Sequence, residues 1–148
     1  MLLAGVVGTA CFAAFAILGL GMLSYFTDVD IISVEDLPLW PGVVGMAVAM
    51  AVFALMLRPV LARRHPVLSP IVLVAVVTVI AHLAAVWLGA LLSGAGVAHA
   101  TEAVSQLIVR GSSIVVLVAA LIAASIAVAL RRAHGGTPKW PWERDEQE

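Results

Sequence analysis

Apolar residues run through this chain in long stretches, and the charged residues fall in short clusters between them. No Asp, Glu, Lys or Arg precedes Asp28. None occurs between Asp36 and Arg58, between Arg64 and Glu102, or between Arg110 and Arg131. A bilayer core about 30 Å thick needs about 20 apolar residues when crossed as a helix. The four gaps therefore predict four spans, at 2–26, 39–57, 70–92 and 111–130, the second with room to continue to Leu61. The third gap is longer than one helix needs, but SGAGVAHA interrupts its apolar run, so one span is expected there and the remainder reads as loop. The fold class is all-α: an integral membrane four-helix bundle over 1–130, followed by a flexible tail over 131–148.

Composition agrees with that reading. Only 11% of the 148 residues are charged, 63% are hydrophobic, and the mean hydropathy is +1.12. A soluble domain carries about 25% charge, so too few polar side chains remain here to cover a surface facing water. The first span lacks a basic leading segment, and its apolar run exceeds the ~7–15 residues of a signal-peptide core, so it is expected to stay as a membrane helix.

Charge sets an expected orientation. Seven of the eight Lys and Arg residues lie between spans two and three or after span four, and only Arg110 lies on the other side. Basic residues are retained on the cytoplasmic side during insertion. Both termini and the ARRHP loop are thus expected inside a bacterial plasma membrane, with TDVDIISVED and GAGVAHATEAVSQ outside.

That orientation gives the acids of the first outer loop a meaning. Asp28, Asp30, Glu35 and Asp36 are four of the nine acids in the chain. The ordinary reading is a wet, acidic outer loop. The sharper reading is a cation site, since closely spaced oxygen ligands suit calcium or magnesium. The spacing is not that of a calcium-binding loop and no Gly marks its turn, so no metal is assigned. Ser33 followed by Glu35 and Asp36 resembles a helix-start pattern. Tyr25, Phe26 and Trp40 bracket the loop, where aromatic rings anchor spans at headgroup depth. Arg110 is a candidate partner for these acids or an interfacial arginine that snorkels to the headgroups. It follows Glu102 by eight residues, which on one helix puts the two roughly on one face.

Within the spans, Ala75, Thr78, His82, Ala85 and Gly89 step by three and four, making one small or polar stripe on a helix. Such stripes face neighbouring helices in lipid. Ala120, Ala123, Ala124 and Ala127 in span four, Gly45, Ala47, Ala49 and Ala51 in span two, and Gly5, Gly8, Gly19 and Gly21 in span one are further packing candidates. His82 is the one ionisable side chain near the middle of a span, and such a group is a candidate functional site. Thr78 and His82 form the candidate polar membrane site. The alternative is a neutral imidazole hydrogen-bonded to Thr78, a carbonyl or a neighbouring helix, and it is preferred because no second acid, Lys or His stands at that depth.

The tail, RRAHGGTPKWPWERDEQE, alternates Trp140 and Trp142 with Pro138 and Pro141. Prolines favour an extended backbone, and disordered segments are usually poor in aromatics. The tryptophans are candidates for docking a cytoplasmic partner. The alternative lays their indoles on the membrane, with Arg131, Arg132 and Lys139 near anionic headgroups.

Activity classes are narrowed by what the sequence lacks. Small multidrug exporters have four spans but depend on a buried glutamate, and no acid lies inside any span here. Fluoride channels use polar pore residues such as asparagine, and this chain has none. Quinone-linked disulfide-forming enzymes need paired cysteines, and Cys11 is single. No nucleophile–base pairing, zinc motif or phosphate loop appears. No catalytic residue or cofactor is assigned, and an enzyme is not expected.

The stretch SYFTDVDIISVEDLPLWPG, which follows one span and leads into a Val- and Ala-rich second, resembles small four-span actinobacterial membrane proteins of unknown function. The Arg-rich, Lys-poor composition fits a high-GC bacterium. The resemblance implies four helices and a plasma-membrane location, with no activity and no site residues. The function expected is a structural or accessory membrane protein that meets the bilayer and a membrane or cytoplasmic partner, with homo-oligomers open and no nucleic acid. The alternative is an oligomeric transporter or channel for a small solute or ion, with His82 as its polar site.

Overall fold

The computed structural model describes residues 2–27, 38–63 and 69–133. Five helices account for nearly all of them: α1 (Leu2–Thr27), α2 (Trp40–Ala62), α3 (Ser69–Leu92), α4 (Gly96–Val109) and α5 (Ser112–Ala133). Four of these, all but α4, are long and apolar enough to cross a membrane. At 1.5 Å per residue, the 22 residues of α5 reach about 33 Å and the 26 of α1 about 39 Å. Apolar side chains such as Leu18, Leu73, Ile80 and Ile114 point outward on these helices, which suits lipid.

The long helices close into a ring in which α1 meets α2, α2 meets α3, α3 meets α5 and α5 returns to α1. α2 also touches α5 across the ring. The directions follow from residues in contact. Gly8 packs on Ala127 and Gly19 on Val115, so α1 and α5 are antiparallel. Pro41 meets Gly89 and Gly45 meets Val86, so α2 and α3 are antiparallel as well. One end of the bundle therefore gathers the start of α1, the ends of α2 and α5 and the start of α3. It carries Arg58, Arg131 and Arg132 and is called the basic end below.

The sequence of α2 explains how it reaches so many neighbours. Its buried positions include Pro41, Gly45, Ala49, Phe53, Leu57 and Leu61, a repeat of four. Four residues overshoot one helical turn by about 40°, so five such steps wind the buried stripe through about 200°. At its start α2 shows Pro41 and Gly45 to α3. Further along it shows Phe53 to Phe12 of α1, the rings stacked at 4.7 Å, and Leu57 to Gly8. At its end the Leu61 carbonyl receives Arg131 Nε of α5 at 3.5 Å.

α2 takes up the expected room beyond Leu57 and runs through Pro59 to Ala62. The proline removes one backbone donor near the helix end, a loss that membrane helices tolerate. α5 runs on to Ala133, so Arg131 and Arg132 belong to its last turn rather than to the tail. Lysine or arginine at that position complements the helix dipole.

The larger correction is α4. The GAGVAHATEAVSQ segment was expected to be an outer loop, and from Gly96 on it lies in the 14-residue helix α4. Ala100, Ala103 and Leu107 are buried at steps of three and four, against α3 and α5. α3 ends in a glycine cap: Ala95 N–H donates to Ala90 O and Gly94 N–H to Leu91 O, with Gly94 at φ +84°. Another left-handed glycine, Gly111 at φ +83°, turns α4 into α5. A Cβ at Gly94 or Gly111 would meet nothing within 4 Å, so backbone conformation and not space calls for glycine.

Candidate functional site

The expected polar stripe of α3 faces the bundle. Ala75, Thr78, His82 and Gly89 are buried, and Ala85 is half-buried. Gly89 lies so close to α2 that a Cβ there would stand 3.1 Å from Pro41 Cβ. Gly45 is tighter still, since a Cβ would collide with Val86 and lie 3.3 Å from His82 Nδ1. The α2–α3 seam at this level is thus built from two glycines that let backbones approach, the usual solution in lipid.

Thr78 and His82 do not bond each other. The Thr78 hydroxyl donates to Val74 O in its own helix at 2.7 Å. His82 is only 5% exposed, and its Nδ1 faces the Gly45 backbone at the margin of hydrogen bonding, without full hydrogen-bond geometry. Of the hydrogen-bonded states expected for this imidazole, the threonine version is not formed, and the group that faces Nδ1 is the Gly45 backbone of the neighbouring helix. A buried polar atom without a partner costs about 1–3 kcal/mol. The arrangement leaves His82 Nδ1 able to exchange one hydrogen bond with any group brought against this seam.

Ser112, at the start of α5, holds the other buried side-chain polar atom without a partner among the described residues. Its neighbour Ser113 donates to Leu107 O at 3.1 Å and closes the end of α4. Near the other end of α4, Trp87 Nε1 donates to Thr101 Oγ1 at 3.4 Å and ties this helix back to α3. The Glu102 carboxylate receives Gln106 Nε2 at 3.3 Å along the helix surface. Arg110 caps α4, its backbone N–H donating to Gln106 O at 2.9 Å. Tyr25 and Phe26, exposed at the end of α1 and edge-to-face at 5.6 Å, share this end of the bundle with Trp40 and Trp87. Aromatic rings gathered at one end of a bundle suit headgroup depth.

Asp28, Asp30, Glu35 and Asp36, the suggested helix start at Ser33, and Trp140 and Trp142 all lie outside the described residues. Among the described residues no group of three or more His, Cys, Asp or Glu could hold a metal ion. Sequence reasoning read Gly45 only as a packing residue and did not connect it to His82. Its place beside a buried imidazole depends on the pairing of α2 with α3, which no local pattern encodes.

The family match runs over residues 2–148, and so takes in all four long helices, α4 and the tail. The chain belongs to DUF6121, a family of unknown function. No curated protein and no solved structure matches it. Family membership agrees with the expectation of relatives that have no assigned activity, and it brings no site residues to this chain.

Proposed function

We propose that this is a non-enzymatic accessory or structural protein of a bacterial plasma membrane, with both termini cytoplasmic, that holds a membrane or cytoplasmic partner. The observation that supports this reading is the filled interior of the bundle. Phe12 and Phe53 stack within it, and Ala119, Ala120, Ala123, Ala124 and Ala127 of α5 are all at most 3% exposed. Such packing suits a scaffold better than a conduit running through one chain. The orientation follows from the basic end, since positive charge marks the cytoplasmic side. The docking elements proposed are Trp140 and Trp142 of the tail and the acidic loop of Asp28, Asp30, Glu35 and Asp36.

Co-purification in mild detergent tests this, with the full chain compared to a chain ending at Gly136. A stoichiometric partner that is lost with the tail is the expected result. A homo-oligomer unchanged by truncation counts against it. One observation favours the alternative of transport by an oligomer, namely the buried Nδ1 of His82 without a bond. A solute or proton flux in proteoliposomes that disappears in His82→Leu would replace the accessory reading.

A further inference from the structure

Outside the ring, α1 and α2 part at the basic end and leave an open groove of about 540 Å³. Small residues make the room: Gly5 and Ala10 on α1 and Ala54 on α2. Val6 and Leu57 line it with hydrocarbon. The Thr9 hydroxyl, also in the wall, is already spent on Gly5 O at 2.9 Å. The one charged side chain in the lining is Arg58, which is exposed and has no acidic partner among the described residues. It stands four residues before the last residue of α2, about 6 Å along the axis. That places a fixed cation where the hydrocarbon ends and the headgroups begin, directly above an apolar trough.

We propose that this groove binds one anionic phospholipid, its phosphate on the Arg58 guanidinium and an acyl chain along α1 and α2. Charge complementarity selects the occupant. A guanidinium presents a planar fork of donors that matches phosphate, and basic sites between spans on the cytoplasmic side hold anionic headgroups. A second copy of the chain fits less well. A two-fold contact through this groove sets the same surface against itself, and so brings Arg58 toward Arg58. The groove lies on the outer side of α1 and α2, away from the His82 seam, so the proposal stands apart from the accessory reading and shares with it only the membrane setting and orientation.

Native mass spectrometry on the full chain in detergent, offered equal amounts of phosphatidylglycerol and phosphatidylcholine with matched acyl chains, tests the proposal. The expected result is a preference for phosphatidylglycerol of about fivefold, the weight of one basic residue at a membrane surface. Arg58→Gln abolishes the preference, and because Arg58 is exposed the fold remains. Arg63→Gln, at the exposed C-cap of α2, keeps it and so separates a site from general positive charge. Ala54→Leu fills the trough and lowers retention of both lipids. Equal retention by the wild type overturns the proposal, and so does a preference that survives Arg58→Gln. A homodimer broken by Ala54→Leu with lipid retention unchanged also overturns it, in favour of a second copy.

Discussion

The two ends of the bundle are held together differently. Toward the basic end lies one continuous apolar cluster that includes Phe12, Phe53, Leu57, Leu61, Ala123, Ala124 and Ala127. Large rings and small alanines interlock there. Toward the α4 end, Val86, Ala90, Ala100, Ala103 and Leu107 are buried but lie outside that cluster. This end has two buried polar atoms without partners and an extra helix tied on by Trp87, while tight glycine contacts occur at both ends. Dispersion between close-packed side chains is the main source of cohesion in lipid. The basic end therefore works as the anchor of the fold, and the α4 end is where packing leaves polar groups available.

The comparison breaks most visibly with Phe53→Ala. Removing a fully buried ring from the stack on Phe12 should cost about 3–5 kcal/mol, read as unfolding in a detergent titration. A cost under about 1 kcal/mol, the scale of a volume-conserving swap, would mean that the basic end is not the anchor. At the other end, Gly45→Ala drives a methyl into Val86 and should cost about 1–3 kcal/mol as overpacking. Adding Val86→Ala restores room, so the double variant should recover much of that loss. If the second change adds to the first, α2 and α3 are not in contact there as described. The smallest effect has the opposite sign. His82→Leu replaces a buried polar ring that lacks a bond at Nδ1 and should stabilise the chain by about 1 kcal/mol. Destabilisation would show that the imidazole has a partner in the membrane.

Much of this was readable from residue order because lipid imposes a one-dimensional rule. A helix crossing hydrocarbon must be apolar along its whole length, so the charge-free gaps revealed the four long helices. The face of α3 was legible too, because Thr78, His82 and Gly89 contrast with the Val, Ile and Leu around them. α4 was missed for the converse reason. Its buried stripe is Ala100, Ala103 and Leu107, two of them small, next to His99, Glu102 and Gln106 on the same short helix. A search for twenty apolar residues passes over such a segment, although the three-and-four spacing was present. The stacking of Phe12 on Phe53, the insertion of His82 against Gly45 and the groove beside Arg58 depend on which helix neighbours which. No local pattern carries that information.

The meeting of α1 with α5 also has a consequence in time. Gly8 and Ala127 touch, yet they are 119 positions apart in the chain. At roughly 5–20 residues per second, a ribosome needs on the order of ten seconds to travel that distance. For that interval the face of α1 that carries Gly8 and Gly19 has no α5 to receive it, while α2 and α3 are already inserted and can pair. The ring therefore closes from its two chain ends, with the last helix synthesised completing the packing of the first. A chain that stalls or is cleaved before α5 emerges would keep Gly8 against Leu57 of α2 but leave Gly19 without Val115, open to whatever helix passes or to quality control.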